Sequence, residues 1–241
     1  MASGFRQRFL ELDFLRGLAV LGMMVYHAFF VLTFFGDWNF AMNEGWWEIL
    51  ANVVRFIFLS LVGVGMVISY EGVKKKGGSY FDGIFRQWRR AWIVLLAAFV
   101  VSISTYIFVP DQYVRFGILH LIAVSIFVLS FLLGIRRKYL ALLFSVFAFV
   151  FAYYFPSDGM VSIDYFSLFP WMGIVSLGIF FGYTFYSGRG VRFNFKFLKS
   201  DYLKPFYWFG KKALIVYLLH VPLIILIFWL FGLIELAKVT A

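Results

Sequence analysis

Several residue types that define whole classes of functional site are missing from this chain or scarce in it. The sequence contains no cysteine, which excludes disulfide bonds, thiolate metal sites and a cysteine nucleophile. Charged residues make up only 14% of its 241 residues, where a soluble domain has about a quarter. The last apolar stretch, residues 213–234, contains no lysine, so a retinal Schiff base in that segment is also excluded.

Apolar and aromatic residues take the place of the missing charges. Hydrophobic residues make up 63% of the chain, with 34 phenylalanines, 14 tyrosines and 8 tryptophans, and this composition suits a lipid solvent. A helix needs about 20 apolar residues to cross a bilayer. Seven stretches reach or approach that length: about 14–35, 46–70, 91–109, 117–134, 139–155, 169–187 and 213–234. The sequence therefore predicts an all-α integral membrane protein, a bundle of about seven transmembrane helices that forms a single domain over 1–241.

The distribution of lysine and arginine predicts the orientation. With a cytoplasmic N-terminus, 19 of the 22 basic residues face the cytoplasm, in the N-terminal segment, in the 71–90 loop, at 136–138 and in 188–212. This is the positive-inside pattern of a multi-pass protein of the cell membrane. The formal net charge of +10 then favours contact with anionic membrane lipid and gives no reason to expect a nucleic-acid partner. The segment 191–212, which mixes aromatic residues with lysines, is predicted to lie along the inner surface.

Ionisable side chains inside the apolar stretches are the first candidates for a functional site. All three histidines of the chain, His27, His120 and His220, fall within predicted spans, and Arg55 lies well inside the second. Such a group costs about 2.5–3.5 kcal/mol at the bilayer centre, so it normally faces the interior of the bundle. For each histidine alone the alternative is an interhelical hydrogen bond, and for Arg55 it is a structural contact with helix-end carbonyls.

The first span carries the sharpest spacing. Arg16 and His27 are eleven positions apart, which is three helical turns plus about 20°, so the two share a face about 16 Å apart along the axis. A phosphate-bearing cofactor held by Arg16 at the cytoplasmic rim could reach inward to His27, and Asp13, one turn back, could orient Arg16. The alternative is a positive-inside anchor together with an unrelated buried histidine.

Four motifs occur in an order that resembles a known family. They are Leu12-Asp13-Phe14-Leu15-Arg16-Gly17-Leu18-Ala19 with Tyr26-His27, Phe116-Gly117-Ile118-Leu119-His120, Asp164-Tyr165-Phe166 with Phe169-Pro170-Trp171, and Tyr217-Leu218-Leu219-His220. Bacterial and archaeal relatives of the heparan-alpha-glucosaminide N-acetyltransferase catalytic domain are similar to this chain over nearly its whole length. The spacing of Arg16 and His27 also resembles the wider transmembrane acyltransferase superfamily.

This resemblance implies an enzyme, a membrane-embedded acyltransferase with acetyl-coenzyme A as cosubstrate bound from the cytoplasm. The expected acceptor is an amine or hydroxyl of a sugar or glycolipid, and His27 inherits the role of general base. In the lysosomal enzymes the working histidine follows the first catalytic-domain helix, whereas this chain has no histidine between His27 and His120.

The remaining candidates follow from the chemistry of acyl transfer, which needs a base and hydrogen-bond donors for the developing oxyanion. His120 and His220 are predicted to support His27, and Arg55, Tyr26 or Tyr217 could supply donors. Coenzyme A phosphates could be held by further cytoplasmic cations, namely Arg86, Arg89, Arg90, Lys211 and Lys212. For each of these cations a topology signal alone is the alternative.

Two other functions and the oligomeric state remain open from the sequence. His27 and His220, predicted at similar depth, could be axial ligands of a haem in a membrane redox protein. A membrane transporter or flippase is the other alternative, although no paired repeat is visible in the sequence. The sequence does not decide between a monomer and a homodimer. Apart from the haem alternative, no metal site is expected.

Overall fold

A computed structural model describes residues 9–134, 137–157, 162–187, 198 and 200–235. This part of the chain consists of eight α-helices and short helical turns, without a strand. The helices are α1 (Leu10–Phe35), α2 (Gly45–Lys74), α3 (Tyr80–Phe108), α4 (Ile118–Leu129), α5 (Lys138–Tyr154), α6 (Trp171–Phe181), α7 (Lys204–Lys211) and α8 (Ala213–Leu230). Several of the basic residues used for the orientation lie outside the described residues: Arg6, Arg8, Arg136, Arg189, Arg192, Lys196, Lys199 and Lys238. Most of 191–199 in the predicted surface segment also lies outside them.

The apolar stretches of the sequence match the helices, with one displaced boundary. Four helices are long and apolar enough to cross a membrane: α1, α2, α3 and α8. Three shorter apolar helices coincide with the fourth, fifth and sixth predicted spans, at Ile118–Leu132, Lys138–Tyr154 and Trp171–Tyr186. The all-helical fold is thus confirmed for the described residues, with four helices that are candidates for membrane spans. The count of about seven and the cytoplasmic N-terminus stay predictions.

The third helix begins eleven residues before its predicted start at 91. A reciprocal capping box begins α3, in which the Asp82 N–H donates to Ser79 Oγ and the Ser79 N–H donates to Asp82 Oδ2. The region 80–90, which the sequence predicts to be part of a loop, is therefore helical. Arg86, Arg89 and Arg90 stand on the first turns of α3 and not in a flexible segment.

The described chain divides into two compact units, and each is described here by itself. The first contains α1, residues 45–57 of α2, α7 and α8. Helix α7 lies against the start of α1 through two glycines, because a Cβ at Gly17 would collide with the Phe206 carbonyl and one at Gly210 with the Asp13 carbonyl. The rings of Phe14 and Phe206 also pack there, 5.3 Å between centroids. Small residues at a helix contact let two backbones approach closely in this way.

The second unit contains residues 58–74 of α2 and α3 to α6. Hydrogen bonds from side chains connect its helices: Trp88 Nε1 on α3 donates to Ser130 Oγ after α4, and Ser176 Oγ on α6 donates to the Ala141 carbonyl on α5. Gly178 on α6 lies so close to the Ser60 carbonyl on α2 that no side chain would fit. Trp88 and Ser176 of this unit thus find partners outside their own helices, which suits polar groups in a bundle surrounded by lipid.

Candidate active site

Two histidines meet in the first unit. The rings of His27 on α1 and His220 on α8 stand 4.8 Å apart and nearly perpendicular, and His220 Nε2 lies 3.2 Å from His27 Nδ1. His220 is 3% exposed, and His27 is half-buried. Each histidine also contacts a backbone carbonyl. His27 Nδ1, the same atom that faces His220, lies 2.9 Å from Met23 O, and His220 Nδ1 lies 2.7 Å from Tyr217 O. The structure therefore brings together two of the three candidate histidines.

A cation belongs to the same unit as this pair. Arg55 on α2 belongs to the same unit, and its guanidinium donates to Asn52 Oδ1 at 3.1 Å. The charge of Arg55 also acts on the His27 ring. A guanidinium near an imidazole can steady negative charge that develops beside the imidazole, which is the role that acyl transfer needs.

The predicted cofactor residues of α1 form an ion pair. Arg16 Nη1 donates to Asp13 Oδ1 at 3.1 Å, with 28% and 17% of the two side chains exposed. Asp13 is also the residue whose carbonyl contacts Gly210 of α7, so α7 supports this end of α1. Burial raises the pKa of the Tyr207 phenol on α7, and the charge of Asp13 raises that pKa further. The Tyr207 hydroxyl donates to the Leu198 carbonyl and thereby ties the helix to the preceding chain.

A pocket opens at the other end of α1. It has a volume of about 340 Å³ and is lined by Phe30 and Phe34 of α1 and by residues of the loop to α2, including Phe40, Asn43 and Glu44. Phe30 lies 6.5 Å from the His27 ring, so the pocket begins one turn beyond that histidine. Three aromatic rings with an amide and a carboxylate at the rim form a surface that can hold a partly polar ligand.

His120 has a local role in the second unit. The Gly117 N–H donates to His120 Nδ1 at 3.3 Å, which caps the first turn of α4, and the ring stacks on Phe116 at 5.6 Å. Asp164 Oδ2 accepts from the Ile118 N–H at 3.4 Å, so two of the quoted motifs meet at this helix start. These contacts give His120 a structural function, and its supporting part in catalysis stays a prediction.

The remaining predicted cofactor residues differ in their surroundings. Arg90 Nη1 donates to Gln87 Oε1 at 3.1 Å, and the buried Gln87 donates to the Met66 carbonyl at 3.3 Å, so Arg90 faces α2 of its own unit. Arg89 is exposed and Arg86 is half-buried on the same helix, and Lys211 is exposed at the end of α7. Their binding of coenzyme A stays a prediction.

Sequence reasoning missed the aromatic pocket and the glycine contact. Phe30 and Phe34 follow His27 at positions three and seven, the spacing that places them on its helix face, so a helical projection would have found them. Gly17 lies within a quoted motif, but its contact with Phe206 joins segments 189 positions apart in the sequence. No local pattern indicates such a contact.

Comparison with known families agrees with the resemblance found in the motifs. The family model described as heparan-alpha-glucosaminide N-acetyltransferase, catalytic, matches residues 8–222. The match covers most of the chain and spans every candidate site residue from Asp13 to His220, and it confirms the suspected family. No curated protein and no solved structure matches the chain.

Proposed function

Because the chain belongs to the heparan-alpha-glucosaminide N-acetyltransferase catalytic family, whose members are membrane acetyltransferases, we propose that it acetylates an acceptor from acetyl-coenzyme A, with His27 as general base. The observation that carries this proposal is the contact of His27 with His220 inside an apolar unit, on the helix that also bears the Asp13–Arg16 pair. One helix then joins a cofactor anchor to a base.

The donor is proposed to bind at the start of α1. The Arg16 guanidinium is partly exposed and held by Asp13, so it can turn one face to a phosphate while the carboxylate keeps its orientation. The flexible arm of coenzyme A would extend along α1 and place the thioester beside His27. The exposed Lys211 at the end of α7, in the same unit as Arg16, can add a further phosphate contact.

The chemistry is proposed as direct attack of the acceptor on the thioester carbonyl. As the nucleophile forms its bond to that carbon, His27 takes its proton, and Arg55 steadies the oxyanion. The carbon–sulfur bond then breaks, and the thiolate receives the proton back from His27 as coenzyme A leaves. Imidazole suits both steps because its ordinary pKa lies close to neutrality.

The acceptor is proposed to enter through the pocket at the far end of α1. Its rings would pack against the apolar face of a sugar or of a lipid-linked sugar, and Asn43 and Glu44 at the rim would bind its polar groups. With the predicted orientation this pocket opens on the extracytoplasmic side, so donor and acceptor approach His27 from opposite surfaces.

The contact of the two histidines weighs against the haem alternative. Two axial nitrogens on opposite sides of one metal ion are about 4 Å apart, twice a metal–nitrogen bond of about 2 Å. The 3.2 Å between His220 Nε2 and His27 Nδ1 is shorter than that and is the length of a hydrogen bond. A porphyrin between the rings would have to separate them.

The test is release of the coenzyme A thiol by purified protein in lipid nanodiscs. Since the chain has no cysteine, a thiol reagent reports only the product. Acetyl-coenzyme A is supplied with a panel of amino sugars, neutral sugars and lipid-linked sugars, and acetylated acceptor is identified by mass spectrometry. We expect His27→Gln to lower turnover at least about a hundredfold with unchanged affinity for acetyl-coenzyme A, because a positioned base contributes about that factor or more.

The matched control is Met24→Leu, a conservative change at a half-buried neighbour on the same helix. It should turn over like the wild type. Normal turnover by His27→Gln would show that His27 only packs. Acceptor binding without any thiol release, across the whole panel, would favour a transporter in place of the acetyltransferase.

A further inference from the structure

We propose that His220 is the second member of a proton relay: His27 Nδ1–H donates to His220 Nε2, and His220 takes that proton when His27 accepts one from the acceptor. His220 acts through His27 and is therefore a positioning residue. The hydrogen-bonded arrangement stands on the geometry alone, whereas its use in turnover rests on the proposed function.

The proton of His220 is assigned by its backbone partner. A carbonyl oxygen only accepts, so the 2.7 Å contact between His220 Nδ1 and the Tyr217 carbonyl requires the proton on Nδ1. A neutral imidazole carries one N–H, and Nε2 of His220 therefore holds a lone pair. This nitrogen is the one that faces His27 at 3.2 Å.

The proton of His27 follows from the same reasoning. Its Nδ1 lies 2.9 Å from the Met23 carbonyl, so Nδ1 carries the proton and shares it between Met23 O and the lone pair on His220 Nε2. The other nitrogen, His27 Nε2, is then left with the lone pair of a neutral ring. All three contacts are satisfied by one assignment, in which His27 has a basic nitrogen available for a substrate.

The relay balances protons within the pair. When His27 Nε2 takes a proton from the attacking group, the proton on His27 Nδ1 passes to His220 Nε2. His27 remains neutral with its proton on Nε2, and His220 becomes an imidazolium that donates to Tyr217 O and to His27 Nδ1. The steps reverse when His27 Nε2 protonates the leaving thiolate.

Electrostatics favour placing the charge on His220. The Arg55 cation acts on the ring of His27, and two like charges repel strongly in an apolar interior. Passing the positive charge on to His220 takes it off the ring on which Arg55 acts, while Arg55 stays available for the oxyanion. The carbonyl of Tyr217, only 2.7 Å from His220 Nδ1, stabilises the imidazolium that results.

Nitrogen NMR tests the arrangement independently of activity. The chain has only three histidines, so histidine labelled with nitrogen-15 gives three rings to assign in nanodiscs. We expect protonated Nδ1 in His27 and His220, a coupling across the hydrogen bond between His27 Nδ1 and His220 Nε2, and the opposite tautomer in His120, whose Nδ1 accepts from Gly117. A proton on His220 Nε2, or an unprotonated His27 Nδ1, in the neutral rings would overturn the inference.

The variant His220→Gln then separates relay from orientation. Glutamine can accept the hydrogen bond from His27 Nδ1 but cannot take up its proton. We expect turnover to fall about tenfold to a hundredfold with unchanged acetyl-coenzyme A affinity. In mixtures of light and heavy water, two protons should contribute to the wild-type rate and one to the rate of the variant.

The outcomes keep the inference apart from the proposed function. The relay would be overturned if His220→Gln turned over as fast as the wild type, or if the same number of protons contributed to the rate of both proteins. His220 would then only hold His27 in place. If the wild-type protein transfers no acetyl group although the NMR assignments hold, the proposed function fails and the hydrogen-bonded pair is supported. The His27 nitrogen shifts in the variant report whether the fold is intact.

Discussion

Replacing Gly210 by alanine tests whether α7 holds the proposed cofactor end of α1. The new Cβ would lie under 3.0 Å from the Asp13 carbonyl oxygen and 3.2 Å from the Gly17 nitrogen, and neither backbone atom can rotate away. Helix α7 must therefore move off α1, and overpacking of this kind costs about 1–3 kcal/mol. The better helix propensity of alanine offsets at most about 1 kcal/mol. With the full offset, we expect a net loss of up to about 2 kcal/mol. Because Asp13 shifts with its carbonyl, we also expect weaker binding of acetyl-coenzyme A.

Thermal unfolding in nanodiscs and calorimetry with acetyl-coenzyme A measure both effects. For a chain of 241 residues each kcal/mol corresponds to a Tm change of roughly 2–4 °C. The matched control is Gly72→Ala on α2, where a Cβ would meet nothing within 4 Å, so stability should stay equal or rise. If Gly210→Ala has the same Tm as this control and the wild-type affinity for acetyl-coenzyme A, the close contact between α7 and α1 does not support the site.

Three further predictions concern orientation and the donor site. Single cysteines introduced at Ser79 and Ser157 should be labelled from opposite sides of the membrane, and labelling from one side would contradict the seven-helix topology. Arg16→Ala should weaken acetyl-coenzyme A binding at least about tenfold in calorimetry, or about 1.4 kcal/mol, and unchanged affinity would transfer the phosphate contact to cations such as Lys211. Asp13→Asn should cost less than about 1 kcal/mol of stability, since the ion pair is partly exposed, and a larger fall in Tm would show that the pair holds α1 and α7 together.

Helix α1 explains how one element could serve two substrates that approach from opposite surfaces. Its first turns bear the Asp13–Arg16 pair and its later turns bear His27, with the aromatic pocket beyond. The helix is continuous from Leu10 to Phe35, so the separation of these groups along its axis is fixed by the helical rise. In the proposed reaction the acetyl group then needs to cross only the short distance at His27, while both substrates stay on their own sides.

Local features of the sequence predicted the apolar helices and singled out the candidate residues. Long apolar runs interrupted by glycine, proline or charge predict membrane helices because each backbone group in lipid must be paired within its own segment. The spacing of Arg16 and His27 likewise depends only on the period of one helix. Both residues lie in α1, as that spacing assumes. The start of α3 was placed too late because the charges at 86–90 masked a helix that begins at the Ser79 cap.

The pairing of side chains from distant segments was decided only by tertiary structure. The sequence placed His27 and His220 at similar depth, but only the packing of α8 on α1 puts the two rings in contact across 193 positions of sequence. In the sequence, nothing distinguished His120 and Arg90 from the other candidate residues. In the structure, His120 caps α4 and Arg90 binds Gln87. A helix pattern gives the face on which a residue stands, whereas its partner depends on which helix packs against that face, and that is a property of the whole chain.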